Sequence, residues 1–286
     1  MEVIKLAIQK EGRLTDETLD FLRKSGLEFG NYKQKLFSIC HNFPLEILYV
    51  RDDDIPDYVA SGTVDLGILG QNLLYEERPK VKKLLNLRFG FCSLTVAVPK
   101  ESNYKNLEDL KGKTIATTYP KSTLKFFKKI GIPIKIVRIS GSVEIAPTLG
   151  ISESIADLTS TGSTLALNEL RPIAKIYDSE AVLIANKKSI TGNKKTLIEN
   201  LVIRFKGVLS AKNYKYVIME TTDKAIPRLR KITPELKSPI IFPLEKAGRI
   251  LIQTLLKEDS LWKIIEKLKE TGVFKIIVLP VEKIVT

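Results

Sequence analysis

Nine consecutive residues, DLTSTGSTL (157–165), set a carboxylate ahead of five hydroxyl side chains and one glycine, with no lysine or arginine among them. SIADL before it reads as a strand and a helix starts near Thr164, so the turn offers backbone N–H groups carrying partial positive charge. Gly162 lets that backbone come close to a ligand, and the hydroxyls add further donors. A phosphate is held this way without any cationic side chain. Asp157, two residues before Thr159, is placed to accept hydrogen bonds from a ribose diol or to help position Mg2+. The chemistry fits a sugar bearing a phosphate. A plain capped helix, with Thr161 or Ser163 as N-cap, is the competing description.

The elements that carry this loop alternate along the chain. VIKLAI (3–8) is a short β-branched strand, LTDETLDFLRKSG a helix with a glycine stop, LFSIC and LEILYVR strands, IPDYVASG a helix opened by proline, and VDLGILG a buried strand. LTVAVPK, KTIATTY, PIKIVRIS and SIADLTS follow as strands, with KSTLKFFKKIG between them as a helix and TLALNELRP as a helix stopped before Pro172. The recurring strand–helix–strand order predicts α/β units with parallel sheets covered on both faces. Two such units meet across a cleft, and ligands sit outside the carboxyl ends of the strands. QKEGR, GILGQN, TTYPKS and STGST each follow a strand at that end. From Ala211 the pattern becomes YKYVIMET, AIPRLRKI, SPIIFPL, RILIQTLL, LWKIIEKLKETG and FKIIVLPVEKIV, a βαββαβ ferredoxin-like order. Leu261, Ile264, Ile265 and Leu268 supply its helical core stripe, with Trp262 at the edge. The expected domains are lobe I (1–93 and 178–210), lobe II (94–177) and a third domain (211–286).

Composition narrows the partners. The chain has 286 residues, 44% hydrophobic and 28% charged, with a net charge of +13. A field of that sign attracts polyanions. The lysines, however, come as scattered pairs such as Lys82-Lys83, Lys128-Lys129, Lys187-Lys188 and Lys194-Lys195, which describes a solvated surface and no nucleic-acid partner. No apolar run is long enough to span a bilayer and the amino terminus shows no signal-like segment, so a cytoplasmic protein without a membrane partner is expected. Cys40 and Cys92 sit in apolar runs as buried thiols, and His41 is the only histidine, which argues against a Ser-His-Asp mechanism. Neither G-x-x-x-x-G-K-[ST] nor G-x-G-x-x-G occurs.

QKEGRL (9–14), VRDDDIPDYVASGTVDLGILG (50–70), IATTYP (115–120) and GSVEIAPTLGISESIADLTSTGSTL (141–165) together resemble the ATP phosphoribosyltransferase family, and SPIIFPL and LPVEKIV resemble the regulatory domain of its long form. The resemblance covers nearly the whole chain. It implies two lobes like type II periplasmic binding proteins plus an ACT-like third domain. It also implies a pentosyltransferase joining N1 of the ATP adenine to C1 of 5-phosphoribosyl 1-pyrophosphate (PRPP), with inversion and release of pyrophosphate. Mg2+, homo-oligomers from dimer to hexamer, and inhibition by L-histidine at the third domain are implied as well. Carried onto this sequence, the PRPP loop is Asp157, Thr159, Ser160, Thr161, Gly162, Ser163 and Thr164, with Glu144 as ribose or magnesium partner. Lys10 and Arg13 face the triphosphate or the leaving pyrophosphate and count with Asp157 as catalytic. Arg51, Asp65, Gly70 and Tyr119 line the ATP side. ISESIADL departs from the family, with a serine and a glutamate where alanine and aspartate are common. On the residues alone, a bilobal solute-binding protein without activity is the alternative.

Overall fold

The computed structural model describes residues 2–30, 36–233, 239–246 and 248–285. They form two compact units, Met1–Asn200 and Leu201–Thr286.

In the first unit the chain runs β1 (Ile4–Gln9), α1 (Thr15–Lys24), β2 (Phe37–Ile39), β3 (Leu45–Val50), α2 (Ile55–Ser61), β4 (Leu66–Gly70), α3 (Gln71–Glu77) and β5 (Lys82–Asn86). It then crosses to β6 (Cys92–Pro99), β7 (Thr114–Thr117), α4 (Pro120–Lys129), β8 (Lys135–Arg138), β9 (Ser154–Thr159), α5 (Ser163–Leu167) and β10 (Leu170–Ser179), and returns through β11 (Ala181–Ala185); α6 (Lys195–Ala211) begins in this unit and has most of its length in the second. Two sheets result, in strand order β2-β3-β1-β4-β11-β5 and β10-β6-β9-β7-β8. Both are α/β lobes, but neither sheet is wholly parallel. β1, β3 and β4 are parallel, as are β7, β8 and β9, while β2, β6, β10 and β11 run against their neighbours. The reversed β6, β10 and β11 belong to the two stretches where the chain passes between lobes.

The second sheet is covered on both faces, as the near-continuous apolar runs of its central strands require. Val96, Val98, Ile115 and Ala156 pack with Phe127 on one side; Ala97, Ala116 and Ile155 pack with Val143 and Leu165 on the other. In the first sheet Gly67 gives α2 its approach, since a Cβ there would press on Ile55 and Val59.

One expected helix is partly strand, and one strand lies in a segment to which the sequence pattern assigns no element. TLALNELRP is helical only over Ser163–Leu167; Glu169 turns left-handed (φ 53°) and β10 begins at Leu170. Pro172 is therefore no helix stop. It lies in an edge strand, paired on one side only and irregular between Pro172 and Ala174, where a missing N–H is tolerated. β5, a second edge strand, carries exposed Lys82 and Lys83. Lysines there discourage pairing with another chain.

The second unit holds β12 (Tyr214–Thr222), α7 (Ile226–Ile232), β13 (Ile240–Pro243), β14 (Arg249–Lys257), α8 (Glu258–Glu270) and β15 (Lys275–Pro280), in sheet order β13-β14-β12-β15, all antiparallel. This is the ferredoxin-like βαββαβ arrangement; the first residue of SPIIFPL lies outside the described residues, and the last strand ends at Pro280. Val217, Met219, Ile252, Leu261 and Leu268 form its core, with Ile264 packed against it. Trp262 is 64% exposed, at the stripe's edge.

Candidate active site

Lys10, Arg51 and Gly70 end adjacent parallel strands at one edge of the first sheet. The Lys10 amide donates to the Val50 carbonyl at 2.8 Å, and Ile8 pairs with Ile68, which brings Gly70 level with Lys10. The loop after β1 is built tightly: Gln9 Oε1 accepts from the Leu14 amide (3.2 Å), and Gly12 sits at φ 138°, a region that glycine alone enters readily. Arg13 leans away along the crossover and donates to the Gly90 carbonyl at 3.5 Å. A side chain at Gly70 would collide with the Asn72 amide, so that glycine preserves the placement of Asn72.

Asp65 does not join this group. It precedes β4 and pairs back toward Lys5, five residues and roughly 16 Å along the strand from Gly70. Its buried carboxylate accepts from the Lys5 amide (2.8 Å), Ser189 Oγ (2.7 Å) and Lys194 Nζ (2.7 Å). Its acceptors are used at the amino edge of the sheet, where they anchor the residues leading into α6.

The carboxyl edge of the second sheet gathers Asp157, Thr159, Tyr119 and Glu144. Asp157 is raised to about 6, by burial first and by the neighbouring Glu144 carboxylate, against the Leu158 amide, which favours ionisation. Two carboxylates thus lie close together beside the hydroxyl-rich turn. Glu144 is held there by a strained lead-in, Gly141 (φ 82°) and Ser142 (φ 48°), before a one-turn 3-10 helix, Val143–Ile145. Within the turn Thr159 Oγ1 faces inward to Thr95 Oγ1 (3.1 Å), which fixes the strand end. Thr161 Oγ1 and Ser163 Oγ pair at 3.0 Å, and Ser160 and Thr164 are exposed. α5 is only five residues long, so its aligned dipoles add little, and the loop's own N–H and O–H groups must do the holding.

Gly162 adopts φ 77°, yet a Cβ on it would meet nothing within 4 Å. Its requirement is conformational. Gly162→Ala is expected to cost about 1 kcal/mol in thermal denaturation and to raise the KM of the ligand held there severalfold, through distortion of the turn.

The lobes meet where the GILGQN and TTYPKS loops face one another, and at Glu76 and Glu180, which belong to no motif. Asn72 Nδ2 donates to Tyr119 Oη (3.3 Å), and Ser179 Oγ donates to Asn72 Oδ1 (3.1 Å). Glu76, 4% exposed on α3, accepts from the Lys121 and Ser122 amides (2.8 Å each) at the start of α4 in the other lobe. Glu180 joins the two crossover strands through Asn86 Nδ2 (2.5 Å) and the Arg88 amide (2.8 Å). Tyr119 lies within the influence of Asp157 on its own lobe and of Asp52 and Asp53 on the other; burial, then these negative charges, push its phenol far up and keep it protonated. Asp53, raised by burial first and then by Asp52 and Asp54, also senses Arg138 across the cleft. Asn72 ends the GILGQN loop without its role being visible there, and no motif marks Glu76, because their partners lie 47 to 107 and 45 to 46 residues away.

A cleft with cations on one wall and carboxylates plus donors on the other suits a ligand pair of which one is a sugar phosphate. Among the described residues no three His, Cys, Asp or Glu side chains converge as a metal site, and no helix is long and apolar enough to cross a membrane.

A family model described as ATP phosphoribosyltransferase matches residues 51–207, and one described as HisG, C-terminal domain, matches residues 211–283. An ATP phosphoribosyltransferase of Cytophaga hutchinsonii is 41% identical over 283 residues, 99% of each chain. One from Bacteroides thetaiotaomicron is 39% identical over 99% of this chain and 100% of its own. Among solved structures, a chain of the ATP phosphoribosyl transferase (HisG:HisZ) complex from Thermotoga maritima, 27% identical, matches with TM-score 0.60 over 71% of this chain and 98% of that one. A substrate binding protein of an amino acid ABC transporter, 18% identical, matches with TM-score 0.50 over 73% of this chain and 94% of its own, a likeness of fold alone.

Proposed function

The chain belongs to the ATP phosphoribosyltransferase family, and from that premise we propose how its cleft performs the reaction. The protein is a glycosyltransferase acting on ATP and PRPP at the first step of histidine biosynthesis. PRPP sits on lobe II: the turn at 159–164 wraps the 5-phosphate, and Asp157 with Glu144 meets the ribose hydroxyls. The buried Asp157 at the end of β9, leading directly into a hydroxyl-rich turn with a left-handed Gly162, carries this reading. ATP enters from lobe I, where Lys10, Arg51 and Gly70 face it, with Arg13 near the crossover and Tyr119 donating from the cleft floor.

Departure of pyrophosphate leaves positive charge on the ribose and negative charge on the leaving group. Lys10 and Arg13 stabilise the latter, Asp157 and Glu144 the former. Adenine N1 is already unprotonated at neutral pH, so no strong base is required, in keeping with a chain whose only histidine is His41. Mg2+ fits the oxygen donors of Glu144 and Asp157 together with substrate phosphates, and there it would neutralise phosphate charge; Mg2+ sites commonly use one or two carboxylates with substrate oxygens and water. Amide hydrogen exchange tests the assignment. PRPP with Mg2+ should protect residues 159–164 and ATP alone should not; protection elsewhere would refute it.

The proposed organisation is lobe I (1–93 and 178–210), lobe II (94–177) and an L-histidine-binding ACT-like domain (211–286), in a cytoplasmic homo-oligomer of dimers up to a hexamer. Deleting residues from 211 onward is expected to abolish inhibition by L-histidine in a truncation that keeps its circular dichroism and activity. Inhibition persisting in that protein would move the effector site into the lobes.

A further inference from the structure

We propose that a cavity of about 470 Å3 between α3, α4 and β10 binds a small amphipathic anion, an aromatic or branched apolar body carrying a phosphate or carboxylate. The volume lies in the range of small-molecule pockets. Its walls are apolar, with Leu74 from one lobe and Phe126 and Ile176 from the other, and the rings of Tyr75 and Tyr177 stand 4.6 Å apart at 59°.

Three cations surround it: Arg78, Lys125 and Lys129. None takes part in an ion pair among the described residues. Lys125 and Lys129 are one helical turn apart, a like-charge spacing that costs stability unless an anion lies between. Behind the wall Ser122 Oγ lies against Tyr177 Oη, close enough to favour ionisation of the phenol, though the pair is too poorly aligned for a strict hydrogen bond. Ser122 is 6% exposed, and both hydroxyl oxygens lie behind the apolar lining, so the cations and aromatic rings are what an occupant meets. Burial pushes the Tyr177 phenol up to about 12, so it remains a donor.

The site differs from the substrate cleft in composition, with cations and aromatic rings where the PRPP turn has hydroxyls and carboxylates. An occupant would touch α3 of one lobe and α4 of the other, beside the Glu76 contact, and so would bias the angle between lobes.

Calorimetric titration of the full-length protein tests the proposal, with phenyl phosphate as probe and inorganic phosphate and phenol as its separated halves. Phenyl phosphate is expected to bind at least about tenfold tighter than either half, and that advantage should vanish in Lys125→Gln/Lys129→Gln, two exposed positions. Undiminished binding to the double variant would place the probe elsewhere, the cleft included, and overturn the proposal. Equal affinity for inorganic phosphate would reduce the effect to the general positive field and overturn it too, as would no binding. Independently of any variant, phenyl phosphate should slow amide exchange of the wild-type protein over residues 122–129; unchanged exchange would also reject the site.

Discussion

Asp157→Asn is expected to make the protein more stable at pH 7 and nearly inactive. The folded protein holds this carboxyl at about 6 against an ordinary 3.8, mainly through burial. Between those values the folded state keeps a proton that the unfolded state has lost. The group therefore favours folding fully below about pH 4, and that contribution disappears as pH rises through 6. At neutral pH the ionised, buried carboxylate costs about 3 kcal/mol, which the amide avoids. The same charge is what the ribose hydroxyls need. Losing two charge-assisted hydrogen bonds removes about 3 to 4 kcal/mol of ligand binding, or roughly 10²- to 10³-fold in kcat/KM for PRPP. The corresponding constant for ATP should fall much less. In the wild type, kcat/KM for PRPP should drop as pH falls through 6, because protonation removes the acceptor. Equal losses for both substrates would separate Asp157 from the sugar, and a stability gain over the wild type no larger at pH 7 than at pH 4 would show that the carboxyl is not raised by burial.

The sequence displayed this half of the site because its determinants are local. A strand end, a run of hydroxyls and a glycine within nine residues specify a turn, and the structure places a left-handed Gly162 and a short helix there. The ends of strands were less visible. DLGILG marks a buried strand, but nothing in it says that Asp65 lies at the edge opposite to Gly70; only the pairing of Leu6 with Leu66 decides that. Edge strands were hidden for a different reason. The lysines of β5 and the proline of β10 keep an exposed edge from pairing, and such residues erase the apolar alternation by which a strand is recognised. Contacts between lobes were invisible altogether, since Glu76 reads as one more charged position near the end of α3.

That glutamate supports the second large effect. The first amides of a helix have no partner within it, and Glu76 supplies one for two of them from the opposite lobe, 2.8 Å from each. Its negative charge also meets the favourable end of the α4 dipole. Glu76→Gln keeps the shape but can accept only one amide and turns its own NH2 group toward the other. With hydrogen bonds to charged groups worth about 1.5 to 3 kcal/mol each, the variant should lose about 2 to 4 kcal/mol in denaturant unfolding. The kinetic consequence separates a positioning role from a merely structural one. Lost packing alone would lower the active fraction, and hence kcat, while leaving KM in place. A loosened contact between lobes instead thins the population competent to bind, so KM should rise about tenfold for both ATP and PRPP, while saturating substrates restore kcat to within about twofold. Tyr119, which begins the same turn and accepts from Asn72, moves with it. Asn72→Ala should therefore raise both KM values in the same direction and by less. A Glu76→Gln protein with unchanged KM for either substrate would show that the lobes hold their angle without this carboxylate.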